Sequence, residues 1–126
     1  MRFSIDKHDR YVVLKPLETI LDGEKAQQIK SEFILLNTDG QRNIVLDLSE
    51  IEHVDSSGLR CALMAHRLCK AAGGVFVMCC ANEELRRLIS LSQLQDVLMN
   101  VPTTQEAEDI IFMEEIEKEL RGSVEE

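Results

Sequence analysis

Short apolar stretches alternate with longer helical stretches along most of this 126-residue chain. The apolar stretches include "NIVLDL", "VFVMCC" and "VLMNV", and helical patterns separate them from one another. Strands that are separated by helices are joined by right-handed crossovers, which place them parallel in one sheet with the helices packed on its faces. The sequence therefore predicts an α/β fold.

The N-terminal segment predicts an antiparallel hairpin in front of the alternating part. Phe3 alternates with Ile5, and Tyr11 with Val13, on either side of a polar turn. Pro16 cannot donate a ladder hydrogen bond, which indicates an edge, a bulge or the end of pairing. We expect a single domain over residues 1–126, with a small mixed sheet of about four to five strands flanked by about four helices.

The first two helices have clear start and stop signals. Asp22 is placed as an N-cap for a stretch with apolar residues at spacings of three and four, namely Ala26, Ile29, Phe33 and Leu36. The second helix is expected over Leu59–Ala72. Gly73 and Gly74 follow it and predict a left-handed C-cap.

The last two helices are also predicted from caps and spacing. Asn82 precedes "EELRRLISL", in which Leu85, Leu88 and Ile89 share one face. Thr103 and Glu106 form a capping box that opens a final helix through about Leu120. Four residues are expected to pack this helix on the body while its glutamates stay in water: Ala107, Ile110, Ile111 and Met113.

The negative charge is concentrated at the C-terminus. The net charge is −9, and the segment from residue 103 onward holds nine acidic residues against Lys118 and Arg121. This acidic helix or tail is either a solvated helix face or a second contact surface. No basic stripe with interleaved aromatic residues offsets it, which argues against nucleic-acid binding.

The termini and the cysteines favour a cytoplasmic protein. The opening "MRFSIDKHDRYVVL" lacks the apolar core of a signal peptide, and no apolar run approaches the length of about 20 residues that spans a bilayer. The four cysteines, Cys61, Cys69, Cys79 and Cys80, are expected as reduced, buried thiols. Cys79 and Cys80 should point to opposite faces of a strand, and the histidines are scattered, so we expect no metal and no cofactor.

The stretch "VDSSGL" holds two adjacent serines at a strand-to-helix turn. Asp55, Ser56 and Ser57 are all good N-cap residues, and Gly58 would allow a sharp bend, so a purely structural cap is one interpretation. The other is phosphorylation, because a helix N-terminus accommodates a phosphate. No G-x-S-x-G elbow is present and no strand-end histidine with an orienting carboxylate is evident, so we expect no enzymatic activity.

The segment from "NIVLDLSEI" through "LSQLQDVL" resembles the STAS domain family, of the anti-anti-sigma factor (anti-sigma factor antagonist) type. The resemblance rests on "VLDLS", "VDSSGL", "AAGG", the apolar strand after it and "LRRLISLSQL", and it extends over about Tyr11 to Ile111. It implies a domain that performs no chemistry. When unphosphorylated, such a domain binds an anti-sigma factor that is also a serine kinase with a histidine-kinase-like ATPase fold, and a sigma factor is released.

The resemblance also assigns the site residues. Ser56 is the implied phosphoacceptor, modified by the kinase and restored by a serine phosphatase. Asp55, Ser57, Gly58 and Leu59 would surround it at the docking surface. Asp22 would lie near this switch, with a plain helix cap as its alternative role.

Three positions depart from the family pattern. Thr19 replaces a usual glycine before "ILD", Arg60 stands where a small residue is frequent, and Gln93 replaces a frequent glycine in a later turn. These changes affect the partner surface more than the fold. The alternative function is a non-catalytic STAS scaffold, or an accessory subunit of a stress-signalling assembly or an ABC-type lipid transporter.

Overall fold

A computed structural model describes residues 1–125 and contains seven strands and four helices within them. The strands are β1 (Phe3–Lys7), β2 (Val12–Pro16), β3 (Ile20–Leu21), β4 (Ile44–Asp47), β5 (His53–Val54), β6 (Phe76–Cys79) and β7 (Met99–Val101). The helices are α1 (Gly23–Thr38), α2 (Ser56–Ala71), α3 (Glu83–Leu91) and α4 (Thr104–Glu125).

Five strands form the main sheet, in the order β1-β2-β4-β6-β7. The β1–β2 hairpin is antiparallel, and all the other pairings in this sheet are parallel. The parallel pairing of β2 with β4 ends at Leu14, two residues before Pro16 closes the strand. The predicted mixed sheet with four helices is therefore confirmed, and Pro16 lies where the parallel pairing has ended.

The two faces of the sheet carry separate apolar clusters. Ile44 and Leu46 of β4 pack in the larger cluster, with buried residues of α1, α2 and α3. Val45 of β4 packs on the opposite side, against Ala107 and Ile111 of α4. Successive residues of a strand point to opposite faces, so one short apolar strand supplies both cores.

A second, two-stranded sheet was not predicted. The strands β3 and β5 pair in parallel, with Ile20 opposite His53 and Leu21 opposite Val54. The backbone N–H of Asp55 also donates to the carbonyl oxygen of Leu21, at 3.3 Å. This pairing joins the residues that immediately precede α1 to those that immediately precede α2.

The helix ends differ from the predictions in three places. The helix α2 begins at Ser56 instead of Leu59, and α4 continues beyond Leu120. Gly73 has a φ of +81°, but Gly74 does not share the left-handed conformation. Gly74 is required for a different reason, because a Cβ there would collide with the backbone carbonyl of Arg42.

The packing of α4 also differs from the expectation. Ala107 and Ile111 are buried and Ile110 packs beside them, as predicted, but Met113 is exposed. Glu115 is buried instead of solvated. Its carboxylate accepts hydrogen bonds from Asn43 Nδ2 at 2.7 Å and from Arg42 Nη2 at 2.7 Å. A buried charge of this kind is tolerated only when it is paired and hydrogen-bonded.

We expect Glu115→Gln to lower the free energy of unfolding by about 1–3 kcal/mol at neutral pH. Burial alone would raise the pKa of the Glu115 carboxyl, but the hydrogen bonds from Asn43 and Arg42 and the charge of Arg42 lower it overall from 4.5. A lowered folded-state pKa stabilises the protein above the unfolded-state pKa, and this stability is lost as the pH falls through the folded-state value. The difference in the free energy of unfolding between wild type and variant, measured by urea unfolding, should therefore shrink below about pH 4.5.

The matched control is Glu117→Gln, because Glu117 lies on the same helix and is exposed. This variant should unfold within about 0.5 kcal/mol of the wild type. Equal losses of unfolding free energy in the two variants would show that stability depends on the charge of the helix and not on the buried pairing of Glu115.

Candidate functional site

The two serines of the "DSSG" turn lie at the N-terminus of α2, and Asp55 is the residue that caps this helix. The backbone of Asp55 is extended, and its Oδ1 accepts from the N–H groups of Ser57 and Gly58, at 2.9 and 3.1 Å. A single carboxylate thus satisfies two of the free N–H groups of the first turn. The cap of α2 is therefore Asp55, and neither of the two serines.

The N-terminus of α1 lies beside that of α2. Asp22 caps α1, as predicted, and its Oδ1 accepts from the N–H of Lys25 at 3.1 Å. A Cβ built on Gly23 would lie 3.5 Å from Ser57 Oγ, so the two first turns are in contact. The positive ends of two helix dipoles therefore meet at one surface, each with its own carboxylate cap.

The two serines differ in exposure. Ser56 is exposed, whereas Ser57 is half-buried against α1 and lines the groove between the two helices. Arg60 is also exposed and lies one helical turn after Ser56, at the i+4 position. Ser56 is thus the more accessible of the two hydroxyls, and a cation lies on the same helix face.

Gly58 and Leu59, which were predicted to surround the switch at a docking surface, are both buried. Gly58 lies within α2 and does not have a positive φ, so the expected sharp bend is absent. A Cβ there would lie 2.5 Å from Val54 Cγ1 and 3.2 Å from the carbonyl oxygen of Leu21. Glycine at this position lets α2 pack closely on the β3–β5 pair, and the part of both residues in docking stays a prediction.

We expect Gly58→Ala to lower the free energy of unfolding by about 1–3 kcal/mol, because the added methyl group overpacks the contact with Val54 and Leu21. Chemical denaturation measures this loss. Gly122→Ala is the control, since Gly122 is also helical and a Cβ there meets nothing within 4 Å. That variant should be unchanged or more stable by up to about 1 kcal/mol. A stable Gly58→Ala variant would contradict the close-packing explanation.

A histidine–carboxylate pair that the sequence did not reveal involves His53, which precedes the turn by two residues. His53 Nδ1 is 3.0 Å from Glu84 Oε1. Both side chains are more than half exposed, at 56% and 63%. Among the described side chains, the hydrogen bonds of His53 do not include either serine. An exposed pair of this kind stabilises the fold little.

Comparisons with known proteins identify the family. A family model described as the STAS domain matches residues 2–109. The chain belongs to the STAS domain family. The family that the resemblance in the sequence predicted is therefore confirmed.

Individual relatives of this STAS domain include proteins named as anti-sigma factor antagonists. One is BtrV of Bordetella bronchiseptica, which is 26% identical over 92 residues that cover 73% of this chain and 78% of BtrV. The crystal structure of TM1081 from Thermotoga maritima, also named as an anti-sigma factor antagonist, matches with a TM-score of 0.81 and 28% identity. This match covers 86% of this STAS domain and 93% of TM1081.

A second solved structure is the phosphorylated form of the Bacillus cell fate determinant SpoIIAA. It matches with a TM-score of 0.68 and 24% identity, over 87% of this STAS domain and 99% of SpoIIAA. At this identity the likeness shows the shared fold. Within the described residues, none of the helices has the length and apolar character that crossing a membrane requires.

Proposed function

We propose that this STAS domain is an anti-sigma factor antagonist that is switched off by phosphorylation of Ser56. The observation that carries the proposal is the division of roles within the turn. Asp55 caps α2 through two hydrogen bonds, while Ser56 is the exposed first residue of the helix. A hydroxyl in this position can be modified without removing a contact that holds the fold.

The local charges support a phosphate at Ser56. Free N–H groups and the positive end of the α2 dipole favour an anion at this helix terminus. Arg60 offers an additional cation at the i+4 position. The phosphate adds a charge of about −1.5 to −2, which acts on whatever docks beside it.

The docking surface in this proposal is formed around the two adjoining helix N-termini. Asp22 and Asp55 supply its acidic groups, and Ser57 lies in the groove between α1 and α2. Gly58 and Leu59 are buried beneath this surface, in the first turn of α2. The partner is an anti-sigma factor that is also a serine kinase with a histidine-kinase-like ATPase fold, and a serine phosphatase reverses the modification.

In this proposal the domain acts in the cytoplasm by binding alone and performs no chemistry itself. The switch itself requires no cofactor, and the domain binds no nucleic acid. Sequestering the anti-sigma factor then releases a sigma factor. The names of BtrV and TM1081 as anti-sigma factor antagonists favour this function over a transporter accessory role.

The test uses Ser56→Ala and Ser56→Asp as paired baits in a lysate of the source organism, with partners identified by mass spectrometry. We expect a kinase-like ATPase to be held by the alanine variant and lost from the aspartate variant. Ser31→Asp serves as the charge control, because Ser31 is exposed on α1 away from its N-terminus. Equal recovery of one partner by both Ser56 variants would contradict the switch and favour the scaffold or transporter accessory alternative.

A further inference from the structure

A cluster of three ligand-type side chains lies at the carboxyl ends of the strands β4 and β6. The carboxylate of Asp47 and the thiols of Cys79 and Cys80 each offer one ligand atom, and these atoms lie within 4.8 Å of one another. Asp47 and Cys79 are directly paired across the two parallel strands. The cluster is separate from the "DSSG" turn and takes no part in the proposed switch.

The backbone explains why both cysteines face the same point. By strand alternation Cys79 belongs to the α4 face, where it is fully buried beside Val77 and Val45. Cys80 follows the end of β6 and has a φ of +63°. A non-glycine residue in this left-handed region is uncommon, and here it turns the thiol of Cys80 back toward Asp47. The prediction that the two thiols point to opposite faces was therefore wrong.

We propose that Asp47, Cys79 and Cys80 form a three-ligand Zn²⁺ site with its fourth position open. Two thiolates and one carboxylate are ligands that Zn²⁺ accepts, in a tetrahedral arrangement. With Zn–S bonds of about 2.3 Å, tetrahedral sulfur atoms lie about 3.8 Å apart, so the ligand atoms need to move together by at most about 1 Å. A Cu⁺ ion would use the two thiolates but leave the carboxylate without a role.

Neighbouring backbone groups are placed to orient these ligands. The N–H of Ser49 donates to Asp47 Oδ1 at 2.9 Å, which fixes the carboxylate and leaves its second oxygen for the metal. Burial raises the pKa of the Cys80 thiol overall, and the backbone of Thr104, the first residue of α4, opposes this shift. Outer contacts of this kind commonly support metal ligands in proteins.

Access and burial determine how the ion enters. Asp47 is 8% exposed and Cys79 is inaccessible, whereas Cys80 is partly exposed and provides the route from solvent. Burial raises the pKa of both thiols, so the ion must displace protons when it binds. The open fourth position takes a water molecule or a donor atom from a docked protein.

The test is a titration of the full-length, chelator-treated protein with Zn²⁺ alone under a non-thiol reductant, followed by metal analysis. We expect one Zn²⁺ per chain, and Co²⁺ in its place should give a thiolate-to-cobalt charge-transfer band. Cys80→Ser should weaken Zn²⁺ binding by at least about 100-fold, because removal of a ligand exceeds the 10–100-fold cost of losing an outer contact. Asp47→Asn should also weaken Zn²⁺ binding. It should reduce the cobalt charge-transfer band less than Cys80→Ser does, because both thiols remain.

Cys61→Ala is the matched control, because Cys61 is a buried free thiol on α2 outside the cluster. It should bind Zn²⁺ as the wild type does. Circular dichroism of each variant without metal shows whether it is folded, so lost binding is not confused with lost structure. The proposal is overturned if the folded wild type binds no stoichiometric Zn²⁺, or if Cys80→Ser binds it with unchanged affinity.

Discussion

Phosphorylation of Ser56 is expected to weaken binding to the partner kinase by about 100-fold or more, without unfolding the domain. Like charges brought together at an interface cost several kcal/mol, and each 1.4 kcal/mol corresponds to a tenfold change in affinity. The phosphate lies at an exposed helix N-terminus that favours an anion, so the free energy of unfolding should stay the same or rise by about 0.3–1 kcal/mol.

Titration calorimetry with the purified partner measures this effect, comparing the unphosphorylated protein with the Ser56-phosphorylated protein. Urea unfolding of both forms tests whether the free energy of unfolding stays the same or rises on phosphorylation. Ser31→Asp should bind within a few-fold of the wild type, because it adds a charge elsewhere on α1. If the phosphorylated protein binds normally, or loses binding only because it unfolds, the switch at Ser56 is wrong.

Gly74→Ala is expected to lower the free energy of unfolding by about 3 kcal/mol or more, the largest stability loss among the variants considered. A Cβ at Gly74 would collide with the backbone carbonyl of Arg42, and backbone cannot rotate aside as a side chain does. The contact also lies beside a polar network. Asn43 Oδ1 accepts from the N–H of Val75 at 2.9 Å, and Asn43 Nδ2 donates to Glu115.

Gly40→Ala is the control for Gly74→Ala, because it measures the cost of backbone strain without a steric collision. Gly40 has a φ of +89°, but a Cβ there meets nothing within 4 Å, so its replacement costs only the left-handed conformation, about 1–2 kcal/mol. Thermal and urea unfolding of the two variants give the comparison. A Gly74→Ala variant no less stable than Gly40→Ala would refute the collision with Arg42.

Most of the main sheet was predictable because its strands carry a strong local signal. The stretches around Val45 and Val77 are apolar on both faces, and both faces are covered by helices in the structure. The β3–β5 pair was missed because each strand has two residues, too few to show an alternating pattern. The periodicity of the sequence therefore predicts the main sheet and its helices, but it does not predict the two-stranded β3–β5 sheet.

The predictions for the candidate site divide in the same way. Asp22 and Asp55 are recognisable as caps because N-cap preference is local. Their adjacency depends on the β3–β5 pairing, which no local pattern shows. The burial of Gly58 and the left-handed turn at Cys80 depend on tertiary contacts and backbone dihedrals. Sequence patterns identify such residues, but they do not give the distances between them.

The buried carboxylate of Glu115 joins α4 to the residues that precede β4. The segment shared with the STAS family stops at residue 109, six residues before Glu115. Within residues 1–125, the carboxylate that accepts hydrogen bonds from the side chains of Arg42 and Asn43 is that of Glu115, in the continuation of α4. The contacts that hold this fold together thus extend past the residues that the family model matches, and the acidic helix contributes a buried partner of its own.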